Sequence, residues 1–171
     1  MSCHPMKSVR CCVVVLFVLL AGCAAPAPRN ARPAWSPLIL VSFDGYRPDY
    51  IERGLSPTLA GMARDGVRAT AMRPAFPTLT FPNHYTIVTG LYPDHNGIVN
   101  NRMVDPVSGK RFVYSDPKSN SDPSWWQGEP LWVSVERQGR HAATMFWPGS
   151  NAAIDGVYPD QIGRASCRER V

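Results

Sequence analysis

The strongest constraint on the fold is a short apolar run that stops at an aspartate. Leu38–Phe43 is apolar and partly β-branched, a pattern typical of a strand buried on both faces of a parallel sheet. Asp44 and Gly45 follow directly, so we expect the Asp44 carboxylate to lie at the carboxyl end of this strand. Ligands and metals collect at that edge of open α/β sheets. The sequence therefore predicts a site there.

The residues after this strand predict a βαβ unit. Ser56-Pro57 is typical of an N-cap followed by proline in the first helical turn, and Gly66 is typical of a helix end. Together they predict a helix over Pro57–Asp65. Val67–Met72 alternates between apolar and polar side chains and predicts the next strand. Strand, helix and strand at this spacing predict a parallel pairing.

Periodicity and turn residues predict the remaining elements. They are a helix at Phe81–Thr89 closed by Gly90, a short strand at Arg111–Tyr114 within a loop-rich stretch at residues 94–122, a helix at Pro130–Gln138, a strand at Ala142–Phe146 and a turn at Trp147–Gly149. About 125 residues between the two ends suffice for one modest hydrophobic core.

The N-terminus has the pattern of an export signal. Met1–Cys23 has a short positive region and then an apolar run, Cys11–Leu20, that is too short to span a bilayer. Leu20–Cys23 resembles a bacterial lipobox, and residues 24–37, rich in alanine and proline, predict a flexible tether. We expect an exported lipoprotein anchored through Cys23 at the periplasmic face of the outer membrane. The alternative is an ordinary signal peptide with Cys23 incidental.

The C-terminal segment Ile162–Val171 resembles one reading frame of a common sequencing adapter. On that interpretation the natural gene continues beyond Gln161; the alternative is a genuine polar tail. The leader carries two basic side chains and this segment a net charge of +2, so the rest of the chain carries +1 of the formal +5. The basic pI is then no evidence for nucleic-acid binding, and we expect no nucleic acid as a partner. Because Cys167 is the only cysteine beyond Cys23, no internal disulfide is expected.

Asp44 and Thr80 carry the predicted chemistry. A carboxylate at a strand end suits Zn²⁺, which binds aspartate oxygens at about 2.0–2.2 Å; the alternative is an aspartate that only caps the turn. Thr80 lies where a helix begins, and a helix N-terminus favours an alkoxide and an incoming phosphate. A threonine hydroxyl is a weak nucleophile unless a metal or base assists it. The alternative for Thr80 is a structural N-cap.

Five stretches together resemble a known family. They are Val41–Arg47, Pro77–Pro93, Gly97–Asn101, Gly128–Trp132 and Phe146–Ser150. In this order they closely resemble the nucleotide pyrophosphatase/phosphodiesterase family of the alkaline phosphatase superfamily, over about residues 38–160. The resemblance implies an α/β fold, an alkaline-phosphatase-like sandwich with a mostly parallel central sheet and helices on both faces. Residues 38–161 would be the N-terminal part of the catalytic domain.

The resemblance also implies roles for single residues. Asp44 matches a ligand of one of two zinc ions, and Thr80 matches the nucleophile that coordinates the same ion. Asn101 matches an asparagine that holds a non-bridging phosphate oxygen, and Phe81 matches an aromatic of the nucleobase slot. The implied reaction is in-line attack by Thr80 on a nucleotide phosphodiester, followed by hydrolysis of the nucleotidyl-threonine. The family's other zinc ligands lie further downstream, which implies an incomplete site and an inactive fragment.

Two other functions stay open from the sequence. A superfamily relative that hydrolyses phosphonates or lipid head-group phosphodiesters would share Asp44 and Thr80, as would a surface binding module without catalysis. Three histidines match none of the family's zinc ligands: His84, His95 and His141. We expect the first two in packing or turns. The neighbouring tryptophans are expected to be buried and structural, with a stacking platform as the alternative: Trp125, Trp126 and Trp132.

Overall fold

The computed structural model of the chain describes residues 36–163. The chain divides into two units, residues 1–41 and 42–171, and every helix and strand of the described part lies in the second. The predicted leader, Cys23 and most of the predicted tether lie outside the described residues, as do residues 164–171 of the predicted adapter segment. No helix within residues 36–163 combines the length and apolarity needed to cross a bilayer.

Five α-helices and four short strands make up the described part of the fold. The helices are α1 (Pro57–Asp65), α2 (Thr80–Thr89), α3 (Pro93–Asn96), α4 (Pro117–Ser121) and α5 (Leu131–Arg137). The strands are β1 (Arg102–Val104), β2 (Arg111–Val113), β3 (Ala143–Met145) and β4 (Gln161–Gly163). Turns of 3₁₀ helix lie at Pro48–Arg53 and Pro123–Trp125. β1 pairs antiparallel with β2, and β3 pairs parallel with β4.

The helices form where their terminal residues predict them. α1 has the predicted bounds, although the Ser56 side chain makes no capping bond and its Oγ instead accepts a hydrogen bond from the Tyr46 hydroxyl at 2.9 Å. α2 begins one residue earlier than predicted and ends at Gly90, whose φ of 68° is the left-handed conformation that closes a helix. α5 is one residue shorter than predicted at each end, because Pro130 is its extended N-cap.

Two predicted strands are wrong. Leu38–Phe43 and Val67–Met72 form neither helix nor strand, so the predicted parallel pairing between them does not occur within residues 36–163. Their side chains are exposed, with Leu38 at 90% and Val67 at 103% of full accessibility. A strand buried on both faces needs hydrogen-bonded neighbours and covering layers. The two sheets formed within the described residues include neither segment.

The later strands agree in part with the sequence. β2 confirms the strand expected at Arg111–Tyr114, and β3 confirms the strand expected at Ala142–Phe146, each slightly shorter. β1, α3 and α4 lie in or beside the stretch expected to be mostly loop, because elements of three to five residues are too short to show a period. β4 contains Ile162 and Gly163, so the start of the predicted adapter segment pairs with β3.

An aromatic cluster forms the core of the second unit. Its buried members are Tyr85, Val88, Ile98, Phe112, Trp126, Trp132, Val133, Ala152 and Ile154. Trp126 makes edge-to-face ring contacts with Tyr85 at 4.9 Å and with Phe112 at 5.8 Å. Trp126 and Trp132 are each 4% exposed, and Trp125 packs against the same cluster, which confirms the expectation of structural tryptophans.

The predicted turn at Trp147–Gly149 is present, and it packs against this cluster. Gly149 has a φ of 91°, and a Cβ there would lie 3.0 Å from Trp126 and 3.2 Å from Tyr85, so a glycine is required for this approach. Burial, and then the charge of Asp155, raises the pKa of the Tyr85 phenol, which therefore stays neutral in the core. The turn also carries Trp147 onto α2.

A buried asparagine joins α2 to the loop after α3. Asn96 is fully buried, and its Nδ2 donates to Thr86 Oγ1 at 3.2 Å and to the Leu91 carbonyl at 3.0 Å. Its Oδ1 accepts a hydrogen bond from the Ile98 N–H at 3.0 Å. Both polar atoms of the amide are thus satisfied, as a buried amide requires, and the loop is fixed with Ile98 in the core.

Candidate active site

The two residues that the sequence selects lie side by side. Thr80 Oγ1 donates a hydrogen bond to Asp44 Oδ2 at 2.8 Å, although thirty-six residues separate them. The turn that contains Asp44 is closed by the backbone, from the Tyr46 N–H to the Phe43 carbonyl at 3.2 Å. Thr80 is the first residue of α2, and the N-cap position belongs to Leu79. The structural alternatives, a turn cap and an N-cap, therefore do not describe these side chains.

The N-terminus of α2 offers few free N–H groups. The Leu79 N–H donates to the Pro77 carbonyl at 2.8 Å, the Phe81 N–H donates to Asn101 Oδ1 at 3.0 Å, and Pro82 has none. A helix normally begins with four unsatisfied donors, whereas here, counting acceptors within residues 36–163, only the N–H of the first helical residue is left. The sequence predicts that unpaired N–H groups at this helix end favour a phosphate. Within the described part of the chain, only the Thr80 N–H and the positive end of the helix dipole are available for that role.

Asn101 is held with its side-chain amide in one orientation. Its Oδ1 accepts the Phe81 N–H, a bond that an amide nitrogen cannot accept, so the NH₂ group is the end left for another partner. Within residues 36–163 that NH₂ group donates to no acceptor. The asparagine expected to bind phosphate is thus attached to the residue next to Thr80 and retains a free donor.

Asn83 fixes the loop before α2, and the sequence analysis missed it. Its Oδ1 accepts the Ala75 N–H at 2.7 Å, and its Nδ2 donates to the carbonyls of Pro77 and Leu79 at 3.1 and 2.9 Å. One side chain thereby holds three backbone groups in front of Thr80. An asparagine shortly after a proline-containing loop is the available signal, because its short amide competes well for nearby backbone groups.

Phe81 lies between the core and a pocket. Its ring contacts those of Phe112 and Tyr114, with centroids 6.0 and 5.8 Å apart. The pocket is lined by aromatic and polar side chains that include Phe81, Phe146, Trp147, Asn120, Ser150 and Asn151. Aromatic surface with amide and hydroxyl groups suits a planar ring that carries polar edges. Phe81 directly follows Thr80 in the chain, whereas Thr80 itself does not line the pocket.

The Asp44–Thr80 pair fits two ligands of one zinc ion. Both atoms are oxygen donors, and at 2.8 Å apart they are close enough to bind the same ion at Zn–O distances of about 2.0–2.2 Å. Catalytic zinc sites have at least three protein ligands. Residues 36–163 bring no cluster of three metal-ligand side chains around this pair. Within residues 36–163 the pair therefore offers two of the ligands that such a site needs.

One group of three metal-ligand side chains does occur within residues 36–163, and it consists of Glu136, His141 and Asp160. Glu136 Oε1 accepts the N–H groups of Ala142 at 2.7 Å and of Asp160 at 3.1 Å, and His141 Nδ1 bonds to Asp160 Oδ2. These bonds join the end of α5 to the starts of β3 and β4. The hydrogen bonds of this group thus hold secondary-structure elements together, and the group adds no metal ligand beside Asp44.

Comparison with known proteins places the chain in a family. Residues 38–169 match the family model described as type I phosphodiesterase / nucleotide pyrophosphatase. The chain is 50% identical over 125 residues to an uncharacterized pyrophosphatase/phosphodiesterase of Schizosaccharomyces pombe, covering 72% of this chain and 26% of that protein. It is 47% identical over 125 residues to ectonucleotide pyrophosphatase/phosphodiesterase family member 3 of Bos taurus (72% and 14%). It is 48% identical over 126 residues to the venom phosphodiesterase of Macrovipera lebetinus (72% and 15%).

Solved structures that resemble this chain come from the same family. Murine ectonucleotide pyrophosphatase/phosphodiesterase 5 superposes with a TM-score of 0.67 at 34% identity, over 76% of this chain and 34% of that one. A second structure of the murine protein is an inactive threonine-to-alanine variant in complex with AMP, which superposes with a TM-score of 0.67 at 33% identity and the same coverage. The chain spans about a quarter or less of the length of the three curated relatives named above.

The fold and these similarities define first a class, the alkaline-phosphatase-like α/β proteins, which confirms the fold class expected from the sequence. Within that class the chain belongs to the type I phosphodiesterase / nucleotide pyrophosphatase family. The family resemblance carried by the five sequence stretches is thereby confirmed.

Proposed function

We propose that the complete protein is a zinc-dependent hydrolase of nucleotide phosphodiester and pyrophosphate bonds, with Thr80 as its nucleophile. The observation that carries the proposal is the 2.8 Å hydrogen bond from Thr80 Oγ1 to Asp44 Oδ2. Family membership supports it, as does the murine relative whose inactive threonine-to-alanine variant binds AMP.

In the proposed reaction the Thr80 hydroxyl gives up its proton to solvent, and Oγ1 forms a bond to phosphorus while the bond to the leaving alcohol or phosphate breaks. The leaving oxygen takes the bonding electron pair. Asp44 Oδ2 accepts the hydrogen bond of the hydroxyl and so holds it in one rotamer before attack. Bound zinc would favour the threonine alkoxide and offset charge on the phosphate. Water then cleaves the nucleotidyl-threonine: its oxygen joins phosphorus, the bond from phosphorus to Thr80 Oγ1 breaks, and one proton of the water passes to Thr80 Oγ1.

Asn101 and Phe81 bind the substrate in this proposal. The free NH₂ group of Asn101 suits a non-bridging phosphate oxygen, whose negative charge grows during attack. Phe81 lines a pocket that suits a nucleobase. A planar base is offered by nucleotide diesters and not by phosphonates or choline-type head groups, so the pocket favours nucleotides among the superfamily's substrates.

The decisive test is stereochemical and uses the complete gene product. A nucleotide diester made chiral at phosphorus by one sulfur, hydrolysed in water enriched in oxygen-18 so that the product phosphorus is also chiral, should give retained configuration, because two in-line displacements occur in succession. Inversion would show direct attack by water and would end the assignment of Thr80. Thr80→Ala should lower kcat by several orders of magnitude, whereas Thr80→Ser, which retains a hydroxyl, should keep substantial activity. A p-nitrophenyl nucleotide ester should be hydrolysed faster than p-nitrophenylphosphorylcholine.

We also propose that the protein is exported and anchored through Cys23 at the periplasmic face of the outer membrane. The support is the apolar run that ends in Leu20–Cys23, followed by Ala24 rather than an acidic residue. Each buried methylene of an acyl chain contributes about 0.8 kcal/mol, so several chains on one cysteine hold a protein firmly at a bilayer.

A further inference from the structure

We infer that His84 is a positioning residue that ties the segment bearing Asp44 to the helix bearing Thr80. The inference rests on the proposed function, because it concerns the geometry of the same reactive pair. His84 lies in α2, one turn after Thr80, and its side chain is half-buried. Sequence alone predicts no more for it than packing or a turn.

The His84 imidazole uses both ring nitrogens. Nδ1 lies 2.7 Å from the carbonyl oxygen of Thr80, and Nε2 lies 2.9 Å from Ser42 Oγ. Ser42 precedes Asp44 by two residues in the same segment. One ring therefore bridges the two parts of the chain that supply the proposed nucleophile and the proposed zinc ligand. It does so independently of the direct bond between Thr80 and Asp44.

The partners of the ring fix where its proton lies. A carbonyl oxygen can only accept, so Nδ1 carries the hydrogen that is donated to Thr80. In the neutral ring Nε2 is then an acceptor, and the Ser42 hydroxyl donates to it. For the neutral ring, the geometry thus selects the Nδ1–H tautomer. It also gives the hydrogen bonds one direction, from Ser42 through His84 to Thr80.

Trp147 holds the His84 residue from another side. The two rings meet edge to face, with centroids 5.5 Å apart and planes at 69°. The Trp147 Nε1–H donates to the His84 carbonyl at 3.0 Å. Because this contact limits rotation of the imidazole, the bonds to Ser42 and Thr80 are kept together. Support of this kind keeps a reactive pair within productive geometry.

The first arm of the test reads the tautomer by nitrogen-15 NMR in the complete gene product. The spectrum of His84→Asn assigns the ring signals by difference. We expect Nδ1 to be protonated and Nε2 to shift when Ser42→Ala removes its donor. An Nε2–H tautomer, or an Nε2 signal unmoved by Ser42→Ala, would overturn the inference whether or not the enzyme uses Thr80.

The second arm measures kinetics with a nucleotide ester. Ser42→Ala removes one end of the bridge, and His84→Asn keeps a donor near the Nδ1 position while removing Nε2. Since a displacement of about 1 Å can lower a rate about 10²-fold, we expect each variant to lower kcat roughly tenfold with KM within about twofold. The double variant should be no slower than His84→Asn, because both changes break the same bond.

A matched control lies at the other end of the same helix. The Thr89 hydroxyl donates to the Tyr85 carbonyl at 2.8 Å and accepts the Leu91 N–H at 3.3 Å. Thr89→Val should lower stability and leave kcat unchanged. An equal loss of kcat in Thr89→Val, or kcat within twofold of wild type in Ser42→Ala and His84→Asn, would overturn the inference. Full activity of Thr80→Ala would instead refute the proposed function and leave the tautomer result standing.

Discussion

Replacing Asn101 separates the two hydrogen bonds that its amide can form. Its Oδ1 accepts the Phe81 N–H at 3.0 Å, and its NH₂ group is free for substrate. Asn101→Asp keeps an acceptor for Phe81 and replaces the donor with a carboxylate oxygen. Asn101→Ala removes both groups. Both variants should therefore lose activity, and they should differ in stability.

The magnitudes follow from the two bonds. A half-buried hydrogen bond contributes about 0.5–1.5 kcal/mol net, so Asn101→Ala should lower the free energy of unfolding by about 1 kcal/mol and Asn101→Asp by less. Loss of one preorganised donor to a developing phosphate charge costs about 2.7–4 kcal/mol of activation free energy, or 10²–10³ in kcat. Asn101→Asp should lose at least as much, because its carboxylate also repels the phosphate.

The assay pairs urea unfolding with steady-state hydrolysis of a p-nitrophenyl nucleotide ester by the complete gene product. Asn101→Asp should unfold near the wild-type midpoint while losing at least 10² in kcat. Activity of Asn101→Asp within about threefold of wild type would refute the donor role. A shared loss of stability without loss of kcat would show that Asn101 only supports Phe81.

Three further predictions concern the rest of the chain. Asn96→Ala should lower the free energy of unfolding by about 2–4 kcal/mol, measured in urea, because the part-buried Leu91 carbonyl and the buried Ile98 N–H lose their partner. The hydrogen bond from the Ser119 hydroxyl, and then that from the Lys118 N–H, lowers the pKa of Asp116 from 3.8. Its stabilisation is complete above that value and lost below it, so the thermal stability gap to Asp116→Ala should shrink as the pH falls below 3.8. Metabolic labelling with a fatty-acid analogue should mark the wild type and miss Cys23→Ser; equal labelling would refute the anchor.

The helices could be predicted because their signals are local. Proline at the first position and glycine after the last define α1, and Gly90 after the last residue defines the end of α2. Strands carry no such information, since a strand exists only when another segment pairs with it. Leu38–Phe43 has the composition of a buried strand and lies exposed, whereas β1 has little pattern and forms because β2 lies opposite.

The same distinction applies to the site. Asp44 and Thr80 could be selected because each ends or begins a predicted element and both belong to motifs. The polar side chains that hold them could not, since Asn83 and His84 act through backbone groups that only the folded chain brings near. For the same reason the sequence predicts more free N–H groups at the start of α2 than the structure has. The side chain of Asn101, distant in sequence, accepts the hydrogen bond of the Phe81 N–H.

The affinity of this 171-residue chain for zinc follows from the number of donors. The binding free energy of zinc at four-ligand structural sites is about 10–16 kcal/mol. If the binding free energy is proportional to the number of ligands, two ligands contribute about 5–8 kcal/mol, which corresponds to a Kd of about 1 µM to 0.2 mM. Asp44 and Thr80 supply two oxygens, which bind zinc less tightly than thiolates, so the weaker end of that range applies.

Dialysis of the chain against zinc-free buffer, with metal analysis afterwards, should therefore leave well under one zinc per chain and no hydrolysis of a nucleotide ester. Asp44→Asn should lower the zinc bound at millimolar concentration, because it removes the charged ligand. His141→Ala is the control, since it alters the other group of metal-ligand side chains without touching Thr80. Tight stoichiometric zinc that survives dialysis and disappears in His141→Ala would mean that the metal binds beside Glu136 and Asp160, and the donor argument for Asp44 would then be wrong.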